Sequence, residues 1–249
     1  MIKLLSFKTR RPDLTPAAFR SHYEQRHVPL GLSFIEHFRW RKYVRNYVVS
    51  PAPASVDFDC VTEFWVAGRE DQQRTAQFVA SAEFSVLDED DRRFLDVTRR
   101  LSFEVEEHVL AASKQGGDAV GPERLAMFIA RPVARSAADF AAEVTRQARA
   151  FAATHREDCD RIALDLRGVG SSDAGGPQAI LSAWPSAASG LRELAWPDFE
   201  AETRVIRLEA VESASESLFC GREDDSEIAK SVSVEARPHS ITHQERESR

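Results

Sequence analysis

Residues 2–9 (IKLLSFKT) mix Ile, Leu and Phe with Lys and Ser and run into Arg10-Arg11-Pro12-Asp13, the pattern of a strand closed by a turn. Thr15-Pro16 then supplies an N-cap followed by proline at the first helical position. In the helix that starts there, Phe19, Tyr23 and His27 recur every four residues and share a core-facing stripe, and Pro29 is expected to end it. His22, five positions before His27, falls on another part of that helix and is expected to be exposed. Arg41–Val49 and Phe58–Ala67 read as strands rich in Val, Tyr, Phe and Trp. Residues 70–80 and 88–99 read as helices, and 101–110 as a fourth strand.

The order through residue 110 is β-α-β-β-α-β, the split βαβ or ferredoxin-like arrangement. After the breaker Lys114-Gln115-Gly116-Gly117-Asp118 the pattern returns at an offset of 121: LAMFIARP at 125–132 echoes LLSFKTRR at 4–11, and SAADF at 136–140 echoes TPAAF at 15–19. A helix to about residue 154, strands at 161–166 and 179–184, a short helix after Pro185 and a strand at 203–211 complete the copy. Two copies are too few for a stacked array. The expected architecture is therefore α+β, two ferredoxin-like halves packed sheet to sheet as a barrel. The first half covers 1–113 and carries the site; the second, degenerate half covers 120–219. From Gly221 apolar residues thin out, and 220–249 reads as a polar, disordered tail.

Composition changes this picture little: 43% apolar and 29% charged residues are ordinary globular proportions. The net charge of -7 hides a basic segment, because residues 1–50 hold ten Lys/Arg against Asp13, Glu24 and Glu36. No recognition-helix motif accompanies them, so no nucleic-acid partner is expected. No apolar run approaches a membrane span, and the N-terminus lacks the form of a signal peptide. A soluble, cytoplasmic protein is the expectation. Cys60, Cys159 and Cys220 are dispersed, without the spacing of a disulfide framework or a zinc site. Nucleotide, zincin and serine-hydrolase motifs are absent, so those readings have no motif support.

The run from Ile2-Lys3-Leu4-Leu5 through Leu14-Thr15-Pro16-Ala17-Ala18-Phe19-Arg20, Tyr23, His27-Val28-Pro29-Leu30 and Lys42-Tyr43-Val44-Arg45-Asn46 resembles the EthD family of the dimeric α+β barrel superfamily. The likeness covers residues 1–110 and is strongest at Tyr-x-x-x-His-x-Pro-Leu; the second half shares only the pattern. The resemblance implies a pocket between sheet and helices, a small aromatic or polyketide-like substrate, no cofactor, and a homodimer. It does not choose among monooxygenases, cyclases, dehydratases and decarboxylases. The position 121 residues after His27 is Ala148, which implies one site per chain. A haem, as in the chlorite-dismutase-like members, would have only His155 as axial ligand in the second half, beside the polar run Arg156-Glu157-Asp158.

The expected activity is that of a cofactor-independent lyase or isomerase (dehydration, decarboxylation or aldol-type cleavage) on a small oxygenated molecule, with cofactor-free monooxygenation and non-catalytic binding as alternatives. His27 is the expected general acid/base, its plainer alternative being a core histidine bonded to a backbone carbonyl. Tyr23, Tyr43 and Asn46 are expected to hold a developing oxyanion, and Phe19, Trp65 and Phe84 to wall the pocket, with Arg45 and Glu63 contacting substrate. Tyr43, Arg45 and Tyr47 alternate with Lys42, Val44, Asn46 and Val48, and periodicity leaves open which set faces the pocket. Glu63 and Trp65 share a face of the next strand, where an edge salt bridge is the plainer role of the carboxylate.

Overall fold

The computed structural model describes residues 1–49, 53, 56–112, 121–168, 175–187 and 194–219. Strands β1 (Ile2–Lys8), β2 (Lys42–Val48), β3 (Cys60–Val66) and β4 (Leu101–Ala112) form the sheet of the first half. Strands β5 (Glu123–Ile129), β6 (Cys159–Arg167), β7 (Ala179–Pro185) and β8 (Thr203–Glu212) form that of the second. All pairings are antiparallel, and the strands close on themselves in the order β1-β3-β2-β8-β5-β7-β6-β4. The two sheets are thus joined edge to edge as well as face to face, at a β2–β8 seam and a β4–β6 seam.

The offset of 121 holds in three dimensions. β1 and β5 have the same length at that spacing, and Thr15 and Ser136 cap their helices alike, each accepting from the backbone N–H three residues on. Such a cap stabilises a helix by about 1 kcal/mol. The helices then differ. In the second half α6 (Ala137–His155) runs for 19 residues without interruption. In the first half α1 (Pro16–His22) opens into a π-helical turn, Tyr23–His27, and resumes as α2 (Val28–Leu32) and the short α3 (Ile35–Phe38). Pro29 therefore does not end the helix: it sits in the first turn of α2, where a missing N–H costs nothing. Helices α4 (Arg69–Val79) and α5 (Ser85–Phe94) complete the cover of the first sheet. The short helix expected after Pro185 and the tail from residue 220 lie mainly or wholly outside the described residues. Among those described, no helix is long and apolar enough to cross a membrane.

Three apolar clusters form among the described residues. One lies between α6 and the second sheet, a second lies between helices and the first sheet, and the third (Leu5, Phe7, Val61, Ala126, Phe128, Ile206 and neighbours) fills the barrel interior. Near the Lys3 level this interior core gives way to a closed set of charges. Lys3 Nζ lies 2.9 Å from Asp165, 2.8 Å from Glu107 and 3.3 Å from Glu63, and Arg124 binds Glu63 from the other side. Burial alone would raise the Glu63 pKa; Arg124 and Lys3 outweigh it and hold the carboxyl at about 2. Asp165 is pushed up to about 6 by burial, with Lys3 opposing and Glu63 adding to the rise.

Removing one member of such a set leaves the others buried without counter-charge. Glu63→Gln is expected to lower stability by about 3–5 kcal/mol at neutral pH, read from urea unfolding. Because the folded-state pKa of Glu63 is depressed, its contribution is complete above the unfolded carboxyl range and fades as pH falls toward about 2. The gap between wild type and variant should therefore narrow in acid, and a gap that widened would refute this account.

Candidate active site

A cavity of about 540 Å³ lies between the outer face of the first sheet and the helices that cover it. Strand parity decides which side chains reach it. Tyr43 and Tyr47 of β2 and Cys60, Phe64 and Val66 of β3 belong to the helix-side cluster, whereas Val61 of β3 belongs to the barrel interior. Tyr23, His27, Trp40, Tyr43, Phe64 and Phe84 are among the lining residues, and the indole of Trp40 packs 4.7 Å from both Tyr43 and Phe64. The walls are therefore largely aromatic.

The π turn sets the polar end of the cavity. Residues five apart on an α-helix diverge by about 140°, since each residue advances the helix by about 100°. In the turn here the Val28 N–H bonds to the Tyr23 carbonyl, five residues back, and this wider ring brings five-apart residues toward one line. His22 and His27 consequently meet the same carboxylate. His22 Nε2 is 3.1 Å from Asp90 Oδ1, and His27 Nδ1 is 3.0 Å from Asp90 Oδ2. The expectation of an exposed His22 is corrected: it is partly covered, bonded to Asp90 and stacked on Phe94 at 4.7 Å. Phe94, fully buried, also packs 5.0 Å from His27 and 5.3 Å from Tyr23.

With Nδ1 engaged, His27 presents Nε2 toward Asp91 Oδ1 at 3.6 Å, beyond hydrogen-bond range. That oxygen is buried and has no hydrogen-bond partner among the described residues. Burial lowers the His27 pKa below 6.5, and the neighbouring Asp91 and Asp90 only partly offset it. The neutral ring donates Nδ1–H to Asp90 and leaves Nε2 as an acceptor. The Tyr23 hydroxyl is 2.7 Å from Thr62 Oγ1, and the Tyr43 hydroxyl reaches Tyr23 at 3.5 Å. Burial raises both phenol pKa values, so both hydroxyls stay protonated.

The remaining sequence candidates separate. Phe84 lines the cavity, and Phe19 forms its floor beneath Tyr23 at 5.9 Å without lining it. Arg45 turns away to a bidentate pair with Glu24 at 2.8 and 3.1 Å and supports Tyr43 from behind at 4.6 Å. Asn46, Glu63 and Trp65 point to the barrel interior and do not join His27; they line a different cavity of about 260 Å³. There Asn46 donates to Glu63 at 3.1 Å, and Lys3 sits 4.9 Å from the Trp65 ring. Sequence reasoning missed Asp90 and Asp91, hidden in the acidic run Asp88-Glu89-Asp90-Asp91, and Lys8, which also lines the site.

Among the described residues the second half offers no counterpart. Ala148 is fully buried in α6, and Phe140, Val144, Phe151, Leu164, Leu181 and Phe199 fill the space over its sheet. His155 packs on Phe151 at 4.7 Å, with Nδ1 facing Asp158, and its Nε2 is enclosed. A haem held by His155 does not fit these residues. Among the described residues no group of three or more His, Cys, Asp or Glu is arranged to hold a metal ion.

Asp90→Asn should lower the His27 pKa further, because it removes a carboxylate that favours the imidazolium. Imidazole NMR titration checks this; a value at or above 6.5 in wild type, or an upward move in the variant, contradicts the arrangement.

Residues 11–98 match the family model of the EthD domain. No curated protein sequence matches the chain. Among solved structures, an anthrone oxidase-like protein aligns with a TM-score of 0.53 and 13% identity over 89% of this chain and 96% of that one. A provisionally named monooxygenase from Fusobacterium nucleatum subsp. nucleatum gives 0.47 and 9% over 84% and 91%. A mutant chlorite dismutase from Candidatus Nitrospira defluvii gives 0.42 and 12% over 88% and 93%. The first of these likenesses establishes the α+β barrel fold and nothing further.

Proposed function

We propose, from the match of residues 11–98 to the EthD domain model, that the chain is an enzyme of lyase or isomerase type acting by proton transfer on a small oxygenated, aromatic or polyketide-like molecule. The observation that carries this reading is the His27 ring: Nδ1 is fixed on buried Asp90 at 3.0 Å, and Nε2 opens to a largely aromatic cavity. A neutral imidazole so oriented is a general base near neutral pH.

His27 Nε2 takes a proton from carbon beside a carbonyl, and the electron pair passes to the carbonyl oxygen. The Tyr43 hydroxyl, whose contact to Tyr23 is long, turns to donate to that oxygen, with Tyr23 anchored on Thr62 behind it. The imidazolium then returns its proton to another carbon, which is isomerisation, or to a departing hydroxyl, which is dehydration. Trp40, Phe64 and Phe84 hold the planar molecule and exclude water. A second reading uses the same carbanion: in an apolar site an electron-rich enolate or phenolate reacts directly with dioxygen, which would make the chain a cofactor-free monooxygenase. The aromatic lining suits such a substrate, and consumption of oxygen dependent on substrate identifies this case. The half containing Ala148 serves architecture in both readings, giving one site per chain.

Native mass spectrometry of protein from its own host should find one aromatic or oxygenated molecule bound per chain. Turnover of that molecule should fall about 10²–10⁴-fold in His27→Ala, with a much smaller change in Kd. Two equivalent ligands per chain would refute the single site. Unchanged turnover in the variant would refute the role of His27, and altered affinity with no turnover in either protein would make the chain a binding protein.

A further inference from the structure

The chain has five lysines, at positions 3, 8, 42, 114 and 230. Lys3 is spent on Asp165, Glu63 and Glu107, and Lys42 lies 3.7 Å from Glu212. Lys8 makes no hydrogen bond or ion pair among the described residues, although it lines the His27 cavity. Its direction follows from register. Lys8 pairs with Cys60 across β1 and β3, paired residues share a sheet face, and Cys60 lies fully buried in the cluster beneath the helices. The Lys8 amine therefore emerges into the site, in company with His27, Asp91 and Arg100.

An amine without an ion-pair partner among the described residues, set in a buried cavity, is poorly placed as an ammonium ion. Burial lowers its proton affinity; Asp91 opposes this, and Arg100 adds to it. These are the conditions, desolvation and a neighbouring cation, under which lysine becomes a nucleophile near neutral pH. The cation beside it is itself committed, since Arg100 is shared between Asp88 at 2.8 Å and Asp91 at 3.3 Å.

We propose that Lys8 is a catalytic nucleophile that captures an aldehyde or ketone substrate as an imine, which places carbonyl compounds, rather than oxygenated molecules in general, as the substrate class of this site. This rests on the reading of the cavity as the active site. The Lys8 nitrogen lone pair attacks the carbonyl carbon to give a carbinolamine. The C–O bond then breaks, and the oxygen leaves as water with one proton of the amine and one taken up from solvent, both carried through Asp91 Oδ1 and His27 Nε2, so that the nitrogen keeps one hydrogen as an iminium. No oxidant or reductant is consumed. The resulting iminium acidifies the adjacent C–H, which His27 Nε2 removes, and the electron pair moves toward nitrogen as an enamine. Reprotonation and addition of water release the product and restore the amine. Asp91 Oδ1, 3.6 Å from His27 Nε2 and without a hydrogen-bond partner among the described residues, acquires a role as proton carrier between the two.

The test is reductive trapping of the full chain with benzaldehyde and sodium cyanoborohydride at neutral pH, followed by digestion and mass spectrometry. Lys8 is expected to carry the benzyl group faster than Lys42 and the exposed N-terminal amine. Lys8→Arg, which keeps the reach of the side chain but cannot form an imine, should lose that label while retaining its melting temperature and circular dichroism. Labelling confined to the accessible amines, with Lys8 unmodified, overturns the proposal, and so does full turnover by Lys8→Arg. The two readings fail separately: unlabelled Lys8 with His27→Ala inactive removes the imine and leaves proton transfer standing, whereas labelled Lys8 with His27→Ala fully active does the reverse.

Discussion

An edge strand presents a row of unpaired N–H and C=O groups, and each four-stranded half of this chain has two such edges. Pairing β2 with β8 and β4 with β6 satisfies all four edges at once and turns two open sheets into one closed barrel. Everything else is arranged around that closure. The inner faces must be filled from within, which they are by Leu, Ile, Val and Phe side chains and by the Lys3 charge set. Helices can cover only the outer faces, so a cavity between helix and sheet is separated from the barrel interior by a full layer of backbone.

Chemistry at the His27 cavity is a contest between burial and charge. Burial drives His27 and Lys8 toward their neutral forms and keeps the Tyr23 and Tyr43 phenols protonated. Asp90 and Asp91 pull the histidine the other way and give its ring a direction. The outcome is a neutral imidazole and two protonated phenols near neutral pH, in a space where each is worth more than in water. The barrel interior resolves the same contest differently: Glu63 stays ionised because two cations face it, and Asp165 remains protonated further up the pH scale.

Much of the frame was legible from sequence because its signals are local. The caps at Thr15 and Ser136, the strand runs and the offset of 121 each depend on a few adjacent residues. The site was legible only in part. Alternation shows that Tyr43 and Asn46 lie on opposite faces of β2, but both faces of this strand are buried, so apolarity could not say which one the helices cover. Asn46, Glu63 and Trp65 went to the interior for that reason. The π turn has no sequence signature, and Pro29 reads as a stop, so the convergence of His22 and His27 on Asp90 was hidden. Asp90 and Asp91 carried the pattern of a solvated acidic helix, and only tertiary packing buries them.

Lys3 and Arg124 stand at the same position in the two halves, 121 residues apart, and both grip Glu63. The acids around them are not duplicated: Glu63 is on the third strand of its half, and Asp165 on the second strand of the other. A barrel assembled from two identical copies would obey a twofold axis, and each interior charge would appear twice. Tandem joining lifts that symmetry. A substitution then acts once rather than twice, so a lone acid such as Asp165 can answer a lysine on the other half without being repeated across the axis. The same freedom lets one half hold a histidine where the other holds Ala148.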